Sequence, residues 1–372
     1  MANLPKRVAI VYDRVNKWGG AERVLLVLHE MFPNAPLFTS VYNPRSADWA
    51  EVFPKICTSF LQKIPYAREK HEHFPFLMPL VFESFTFNDY DLVISVTSEA
   101  AKGIITKPGT LHICYCLTPT RYLWSHFNLY FENPILKFIS SPVASYLKTW
   151  DRIAAQRPDV MIAISDTVRK RIKKYYYRES KVIFPPVELS TGQHTCLPDG
   201  QGGVVRRENF FLVVSRLVPY KKVDLVVESF NELRLPLIVV GTGSEERKLK
   251  ALAKSNIKFK SQLTDEKLKD YYSRSKALIF AQEEDFGLTA VEAQSFATPV
   301  IAYRKGGAKE IIIDGKTGVF FDKQDKKNLI EAIHRFEQIK FDRKVLIQNA
   351  KRFSKERFKK EFLDLINKYT IL

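Results

Sequence analysis

No stretch of about 18 consecutive apolar residues occurs in this chain, which argues against a transmembrane helix. Cysteine is scarce. The four residues, Cys57, Cys114, Cys116 and Cys196, match no zinc spacing, and Cys114 and Cys116 would share one face of a strand. Reduced thiols in a cytosolic protein are the simple expectation. The first apolar run, Lys6 to Tyr12, reads as a strand and lacks the cleavage site of a secretory leader. Internal repeats and low-complexity tracts are missing. Acidic residues are in deficit: 41 Asp and Glu face 58 Lys and Arg, leaving a net charge of +17. A surplus of this size implies an anionic partner or surface. Charge alone admits nucleic acid or an anionic membrane, but no nucleic-acid-binding module is recognisable.

The length of 372 residues suits two domains, each with its own core. Short β-branched apolar runs alternate with amphipathic segments. Those that read as buried parallel strands are Val8 to Tyr12, Leu92 to Val96, Leu111 to Cys116, Val160 to Ile164, Phe210 to Val214, Leu237 to Val240 and Ala277 to Ala281. The alternation breaks at Ser190 to Gly203, rich in Gly, Ser, Thr and Pro, and restarts at Phe210. We therefore expect an α/β protein of two doubly wound, Rossmann-like domains facing each other across a cleft. The N-terminal one would span residues 1–190 and the C-terminal one 205–353.

Three segments are open to two readings. Phe60 to Phe87 mixes aromatics with lysine, arginine and histidine; it can lie in a membrane interface or simply cover the N-terminal sheet, and the second reading comes first. Arg169 to Tyr177 and the tail from Lys340 to Lys368 are strongly basic, as a solvated helix face also would be.

The chemistry-bearing residues cluster at strand ends. An acidic stretch, Glu283-Glu284-Asp285, precedes a glycine turn at Gly287 and a helix opening near Leu288, with Glu292 inside that helix. Backbone N–H groups at such a helix start can meet an anion, and carboxylates accept hydrogen bonds from hydroxyls. On local features alone, the cluster reads first as a helix cap. Other strand ends shift the balance. Ser215-Arg216-Leu217 and Lys221 follow Phe210 to Val214, and a guanidinium with an ammonium suits a diphosphate. Gly241-Thr242-Gly243, Gly306-Gly307 and Trp18-Gly19-Gly20 supply glycine turns where a backbone can approach a ligand closely.

Together these pieces resemble the retaining glycosyltransferases of family four. The matching residues are Ser215-Arg216-Leu217 with Lys221, Gly241-Thr242-Gly243, the E-x7-E pair Glu284 and Glu292, Thr298-Pro299-Val300 and Gly306-Gly307. In the N-terminal half they are Gly19-Gly20-Ala21-Glu22 and Asp91 to Ser95. The likeness covers nearly the whole chain and implies the GT-B fold. It implies that Arg216 and Lys221 hold the donor diphosphate and stabilise the leaving nucleotide, and that Glu284 contacts the transferred sugar. Amides around Phe286, Gly287 and Leu288 would meet sugar and phosphate, Glu292 the ribose hydroxyls, and Gly243 the donor. Gly19 and Gly20 would line the cleft from the opposite domain. The C-terminal helix, about 354–372, would cross back onto the N-terminal domain.

The resemblance also implies front-face retention without a metal or other cofactor, the nucleotide sugar being a co-substrate. Asp89-Tyr90-Asp91 only superficially resembles a metal-binding pair, since Asp91 opens a strand. The context of Tyr115-Cys116 and Pro119 to Tyr122 looks closest to mannosyltransferases of O-antigen or capsule assembly, which makes GDP-mannose the leading donor and UDP- or dTDP-sugars the alternatives. The expected acceptor is a lipid-linked saccharide or polysaccharide at the cytoplasmic face of an anionic membrane. One departure stands out: Leu117 occupies a position where many relatives carry a histidine near the sugar. Either the sugar is a 6-deoxyhexose or another residue, such as His126, makes the contact. Competing readings are a nucleic-acid-binding protein with a degenerate sugar-nucleotide domain, and a phosphorylase or sucrose-type enzyme of the same fold. No pyridoxal-binding lysine context supports a phosphorylase.

Overall fold

A computed structural model describes residues 5–125, 134–189, 208–261 and 263–370, with side chains of 134–140 undescribed. Ser190 to Gly203, His126 and Cys196 therefore lie outside the described residues. The chain divides into two units. One comprises Met1–Pro186 and Glu356–Leu372, the other Val187–Lys355.

The N-terminal unit is built on a seven-stranded sheet. Its strands are β1 (Val8–Tyr12), β2 (Leu37–Thr39), β3 (Ile56–Thr58), β4 (Leu92–Thr97), β5 (Leu111–Cys116), β6 (Val160–Ala163) and β7 (Lys181–Val182). The spatial order is β3-β2-β1-β4-β5-β6-β7, and every pairing is parallel. β1 and β4 are buried throughout, as the unbroken apolar runs require when helices cover both faces. Between them the winding reverses, with Val8 opposite Leu92 and Tyr12 opposite Val96.

Much of Phe60 to Phe87 covers this sheet. Leu61, Met78, Val81, Phe82 and Phe87 are buried in one cluster with Ala9, Val11 and Val93. The covering role thus accounts for its apolar content, although Tyr66, Phe76 and Leu80 remain exposed. The final helix, Lys355–Thr370, buries Phe358, Phe362, Leu365 and Ile366. Phe358 stands edge-on to Tyr115 of β5, at 5.7 Å between ring centroids. Arg357 donates to the Phe184 carbonyl at 2.7 Å, and Lys359 pairs with Glu30 at 2.7 Å. Of the basic segments, Asp166–Tyr176 is a helix capped by the Ser165 hydroxyl, which accepts from the Val168 amide. It buries Val168, Ile172 and Tyr176 and turns Arg169, Lys170, Lys173 and Lys174 to solvent.

The C-terminal unit repeats the plan with six strands: β8 (Phe211–Val214), β9 (Leu237–Val240), β10 (Ile257–Lys260), β11 (Leu278–Phe280), β12 (Val300–Tyr303) and β13 (Gly318–Phe321). Their order is β10-β9-β8-β11-β12-β13, all parallel. Here the reversal falls between β8 and β11. Phe211, Phe230, Ile279, Ile301 and Phe336 belong to one buried cluster beneath it.

Candidate active site

In doubly wound sheets ligands bind beyond the carboxyl ends of the strands, where the winding reverses. In the C-terminal unit this point is flanked by the exits of β8 and β11. The first exit carries Arg216 and Lys221, the second Glu284, Phe286 and Gly287.

β8 gives way to Ser215–Val218 and a short turn, Pro219–Lys221. The turn closes with the Lys221 amide donating to the Val218 carbonyl at 3.0 Å. It buries the Lys221 side chain, and the ammonium donates to Glu284 Oε1. These two residues are therefore each other's ion-pair partners. Arg216 does not join them. It is exposed and donates to the Tyr220 hydroxyl at 2.6 Å.

Glycines let neighbouring loops touch. A Cβ on Gly243 would lie 2.2 Å from the Leu217 carbonyl oxygen, and one on Gly241 only 1.9 Å from that of Ser215. The Leu217 amide donates to the Thr242 carbonyl at 2.8 Å, and the Glu245 amide to Leu217 at 2.9 Å. The β8 and β9 exits are thus laced together. The β11 and β12 exits are laced in the same way: the Gly307 amide donates to the Glu284 carbonyl at 2.9 Å, and Cβ atoms on Gly306 and Gly307 would meet the Glu284 and Phe286 carbonyls at 2.1 Å. The sequence reading gave these glycines to a ligand. In the structure, Gly241, Gly243, Gly306 and Gly307 permit close approach to the protein's own backbone. The Lys221–Glu284 pair joins one laced pair of loops to the other.

The acidic stretch is not a cap. The helix Leu288–Ser295 starts after Gly287, whose φ of 118° few other residues adopt, and no side chain caps it. Phe286 is buried, with its ring 5.5 Å from that of Phe353. Leu288 is the first helical residue. Glu292 lies in the second turn, nearly buried, where Oε2 accepts from the Tyr272 hydroxyl at 2.9 Å. Tyr272 escaped the sequence reading; it looks like any apolar residue of an amphipathic helix. Its hydroxyl fixes one edge of the Glu292 carboxylate.

The remaining candidates lie in the N-terminal unit. Gly19 and Gly20 form the turn from the β1 exit into the helix Gly20–Met31. Gly19 has extended backbone, and its Cβ would meet Glu22 Oε2 at 3.1 Å. Leu117 leaves β5 half-buried, its amide donating to the Thr97 carbonyl at 2.8 Å. Asp91 sits at the opposite, amino end of β4. There it accepts from the Arg7 amide and guanidinium, each at 3.1 Å.

The reversal point of this unit also holds groups that the sequence reading did not single out. Asp13, at the end of β1, is buried and accepts from the Thr97 hydroxyl at 2.9 Å. It also accepts from the amides of Ser98, Glu99, Ala100 and Ala101 at 2.6, 3.0, 2.9 and 2.9 Å. The acidic residue directly after the first strand was the available signal.

Residues 200–353 match the family model described as glycosyl transferases group 1. That part of the chain is similar to the group 1 glycosyltransferases. It is 27% identical over 221 residues to O-antigen chain mannosyltransferase C of Escherichia coli, covering 56% of this chain and 57% of that one. It is 26% identical over 200 residues to the GDP-mannose-dependent alpha-(1-6)-phosphatidylinositol monomannoside mannosyltransferase of Mycolicibacterium smegmatis, covering 47% and 52%. The match thus spans about half the length of these curated relatives. Among solved structures, HepE of Anabaena in complex with UDP matches with a TM-score of 0.68 at 16% identity, over 97% of this chain and 100% of that one. The likeness to solved structures, which spans nearly the whole chain, shows the GT-B fold, the architecture expected from the sequence. The family model covers every candidate residue of the C-terminal unit, from Arg216 to Glu292.

Proposed function

We propose that this protein is a glycosyltransferase that moves a sugar from a nucleoside diphosphate donor to a lipid-linked or polysaccharide acceptor in cell-surface glycan synthesis. Retention of configuration and independence of metal are part of the proposal. The observation that carries it is the Lys221–Glu284 pair at the reversal point of the C-terminal sheet, with Glu292 one helical turn beyond. In this reading the donor diphosphate draws Lys221 from Glu284 and takes Arg216 as a second cation. Glu284, released, accepts from hydroxyls of the transferred sugar, and Glu292 from those of the ribose. A cation already placed at the leaving phosphate stabilises the charge that develops there as the glycosidic bond breaks.

Mannose from GDP-mannose is the first assignment. Its support is the likeness to two mannosyltransferases, one of them named as GDP-mannose-dependent. UDP- and dTDP-sugars are the alternatives. Leu117 cannot hydrogen-bond a sugar hydroxyl, which favours either a 6-deoxyhexose or another partner. The next residue, Thr118, offers one, since its buried hydroxyl has no hydrogen-bond partner among the described residues. We place the protein at the cytoplasmic face of an anionic membrane, in keeping with its +17 charge.

Ligand-observed NMR with GDP-, UDP- and dTDP-linked sugars tests the assignment. Binding of GDP-mannose above the others supports it, and binding of none rejects it. Matched hexose and 6-deoxyhexose donors then decide the role of Leu117.

A further inference from the structure

Lys102 and Asp151 form a buried ion pair in the N-terminal unit, with Nζ 2.6 Å from Oδ1 and both side chains 2% exposed. Lys102 sits in the short turn Ala101–Gly103 beyond β4, and Asp151 on the helix Pro134–Ala154. Gly103 lets the two elements meet: a Cβ there would lie 2.4 Å from the ring of Trp150. Every polar atom of the pair is engaged. The ammonium also donates to the Glu99 carbonyl and lies 3.5 Å from Thr120 Oγ1. Asp151 accepts from the Thr120 hydroxyl at 3.0 Å on Oδ1 and from the Trp124 indole at 2.7 Å on Oδ2. The Tyr176 hydroxyl, from the helix Asp166–Tyr176, accepts from the Thr120 amide at 3.3 Å. Burial alone would lower the Lys102 ammonium, but Asp151 outweighs it and holds the group above its ordinary value, so the pair is charged.

An apolar pair of similar volume would stabilise this core as well or better, because both charges give up their water. What the ion pair supplies is fixed geometry, and its hydrogen bonds converge on one stretch of chain. Thr120 and Trp124 belong to the loop that leaves β5 at Leu117. The Leu117 amide is tied to the Thr97 carbonyl at 2.8 Å, and Thr120 is tied to Asp151. Leu117–Thr120 is thus a short span anchored at both ends. Between the anchors, the Thr118 hydroxyl is buried and makes no hydrogen bond among the described residues. Buried polar groups nearly always have a partner, so this one calls for a ligand or another explanation. A span with fixed ends and an unmet hydroxyl in its middle can present that hydroxyl in one direction.

We infer that Lys102 and Asp151 are positioning residues for the transfer proposed above, a reading on which this one rests. They hold the span Leu117–Thr120 so that Thr118 meets a hydroxyl of the transferred sugar. Neither residue touches the donor; both act through Thr120. Loss of the pair leaves the proposed nucleotide contacts of Arg216, Lys221 and Glu292 in place and loosens only the sugar.

Saturation-transfer NMR on the full chain with GDP-mannose tests this, because mannose and ribose protons are read in one spectrum. Both sets are expected to be saturated by the native chain. Removing one charge alone strands the other in the core, so the variant to use combines Lys102→Met with Asp151→Asn. It removes both charges, nearly keeps the volumes and leaves an oxygen for Trp124. Its urea midpoint should stay near the native one and its GDP affinity within twofold, while the mannose-to-ribose saturation ratio falls at least twofold. Thr118→Val removes the hydroxyl alone and should lower the ratio in the same way. Leu147→Ala is the control for a merely structural effect. It hollows the core one turn from Asp151 on the same helix, and it should lower the urea midpoint and leave the ratio unchanged. An unchanged ratio in the double variant or in Thr118→Val would overturn the positioning role. So would an equal fall in Leu147→Ala, ribose saturation without mannose saturation in the native chain, or failure of the double variant to fold. Absence of GDP-mannose binding is a different result: it counts against the donor assignment, and the ratio is then read with whichever UDP- or dTDP-linked sugar binds.

Discussion

Lys221 and Glu284, at the exits of the neighbouring strands β8 and β11, hold each other in an ion pair that is largely withdrawn from solvent. Withdrawing two charges from water is costly, so a pair of this kind is weak as a source of stability. Its value here is placement, because two sheet exits are fixed relative to each other by one contact. Replacing Lys221 by methionine should lower kcat by roughly 100- to 1000-fold, as expected for loss of one preorganised electrostatic donor. Glu284→Gln should keep most of the stability and still lose turnover. Steady-state kinetics with the preferred donor measures both. Near-native kcat in the Lys221 variant would remove it from the site.

Glu292 predicts a different signature. Its proposed partner is the ribose, which the chemical step leaves alone. Glu292→Ala should weaken nucleotide binding about 10- to 100-fold, in line with loss of a charged hydrogen bond. Tyr272→Phe leaves the carboxylate in place and removes only its anchor, so a smaller loss is expected. Titration calorimetry with the free nucleoside diphosphate separates the two. Equal losses in both variants would mean that the tyrosine, not the carboxylate, meets the nucleotide.

The glycine turns make a prediction about stability. Gly306 has φ of 62° and faces the Glu284 carbonyl at 2.1 Å, whereas Gly315 has φ of 72° with nothing within 4 Å of its missing Cβ. Gly315→Ala should cost only the left-handed backbone penalty, about 1–2 kcal/mol. Gly306→Ala adds a backbone collision at the loop that carries Glu284, so it should cost more and lower turnover as well. Urea unfolding of both variants gives the comparison. Similar midpoints would show that the loop yields without cost.

How much of this was legible in the sequence depends on how each feature is encoded. The interior strands β1, β4, β5, β8 and β11 are buried on both faces, so they read as apolar runs. The edge strand β10 alternates as Ile257-Lys258-Phe259-Lys260, and β2 and β3 have three residues each, too few to show a period. Glu284 and Glu292 were visible because a short, fixed spacing separates them. Tyr272 and the Lys102–Asp151 pair were not, since each arises from parallel strands or helices that bring distant positions together. The glycines were legible as points of close approach, but the loop that each one meets was not, because composition does not say which neighbour fills the space.

The proposed membrane contact can be tested at one surface. Tyr146 and Ile153 on the helix Pro134–Ala154, together with Tyr177, are 55%, 56% and 76% exposed. Arg152 lies 4.8 Å from the ring centre of Trp124 and 5.5 Å from that of Tyr177. Aromatics interleaved with cations suit an anionic interface, where each lysine or arginine contributes about 1 kcal/mol. We expect sedimentation with phosphatidylserine vesicles that fades with salt, and substantial loss on combining Tyr146→Ser, Ile153→Ser and Tyr177→Ser. Binding unaffected by the triple change would move the contact elsewhere on the chain, and no binding at low salt would end the membrane assignment.

Acid should destabilise the N-terminal unit through two buried histidines. His71 and His112 are both lowered from 6.5 to about 3, in each case chiefly by burial, with Arg14 adding to the effect at His71 and Arg178 and Arg157 at His112. Such a histidine stays neutral in the folded state while the unfolded chain takes up a proton below about 6.5. The unfolded state then binds more protons, so stability falls with falling pH. Their contribution is fully present above about 6.5 and is lost progressively between that value and about 3. The Ser95 hydroxyl lies 2.8 Å from Nε2 of His112. The urea midpoint should drop between pH 7.5 and pH 5, and His112→Gln should flatten that drop even if it lowers the midpoint at pH 7.5. A slope unchanged in His112→Gln and in His71→Gln would assign the acid sensitivity to other groups.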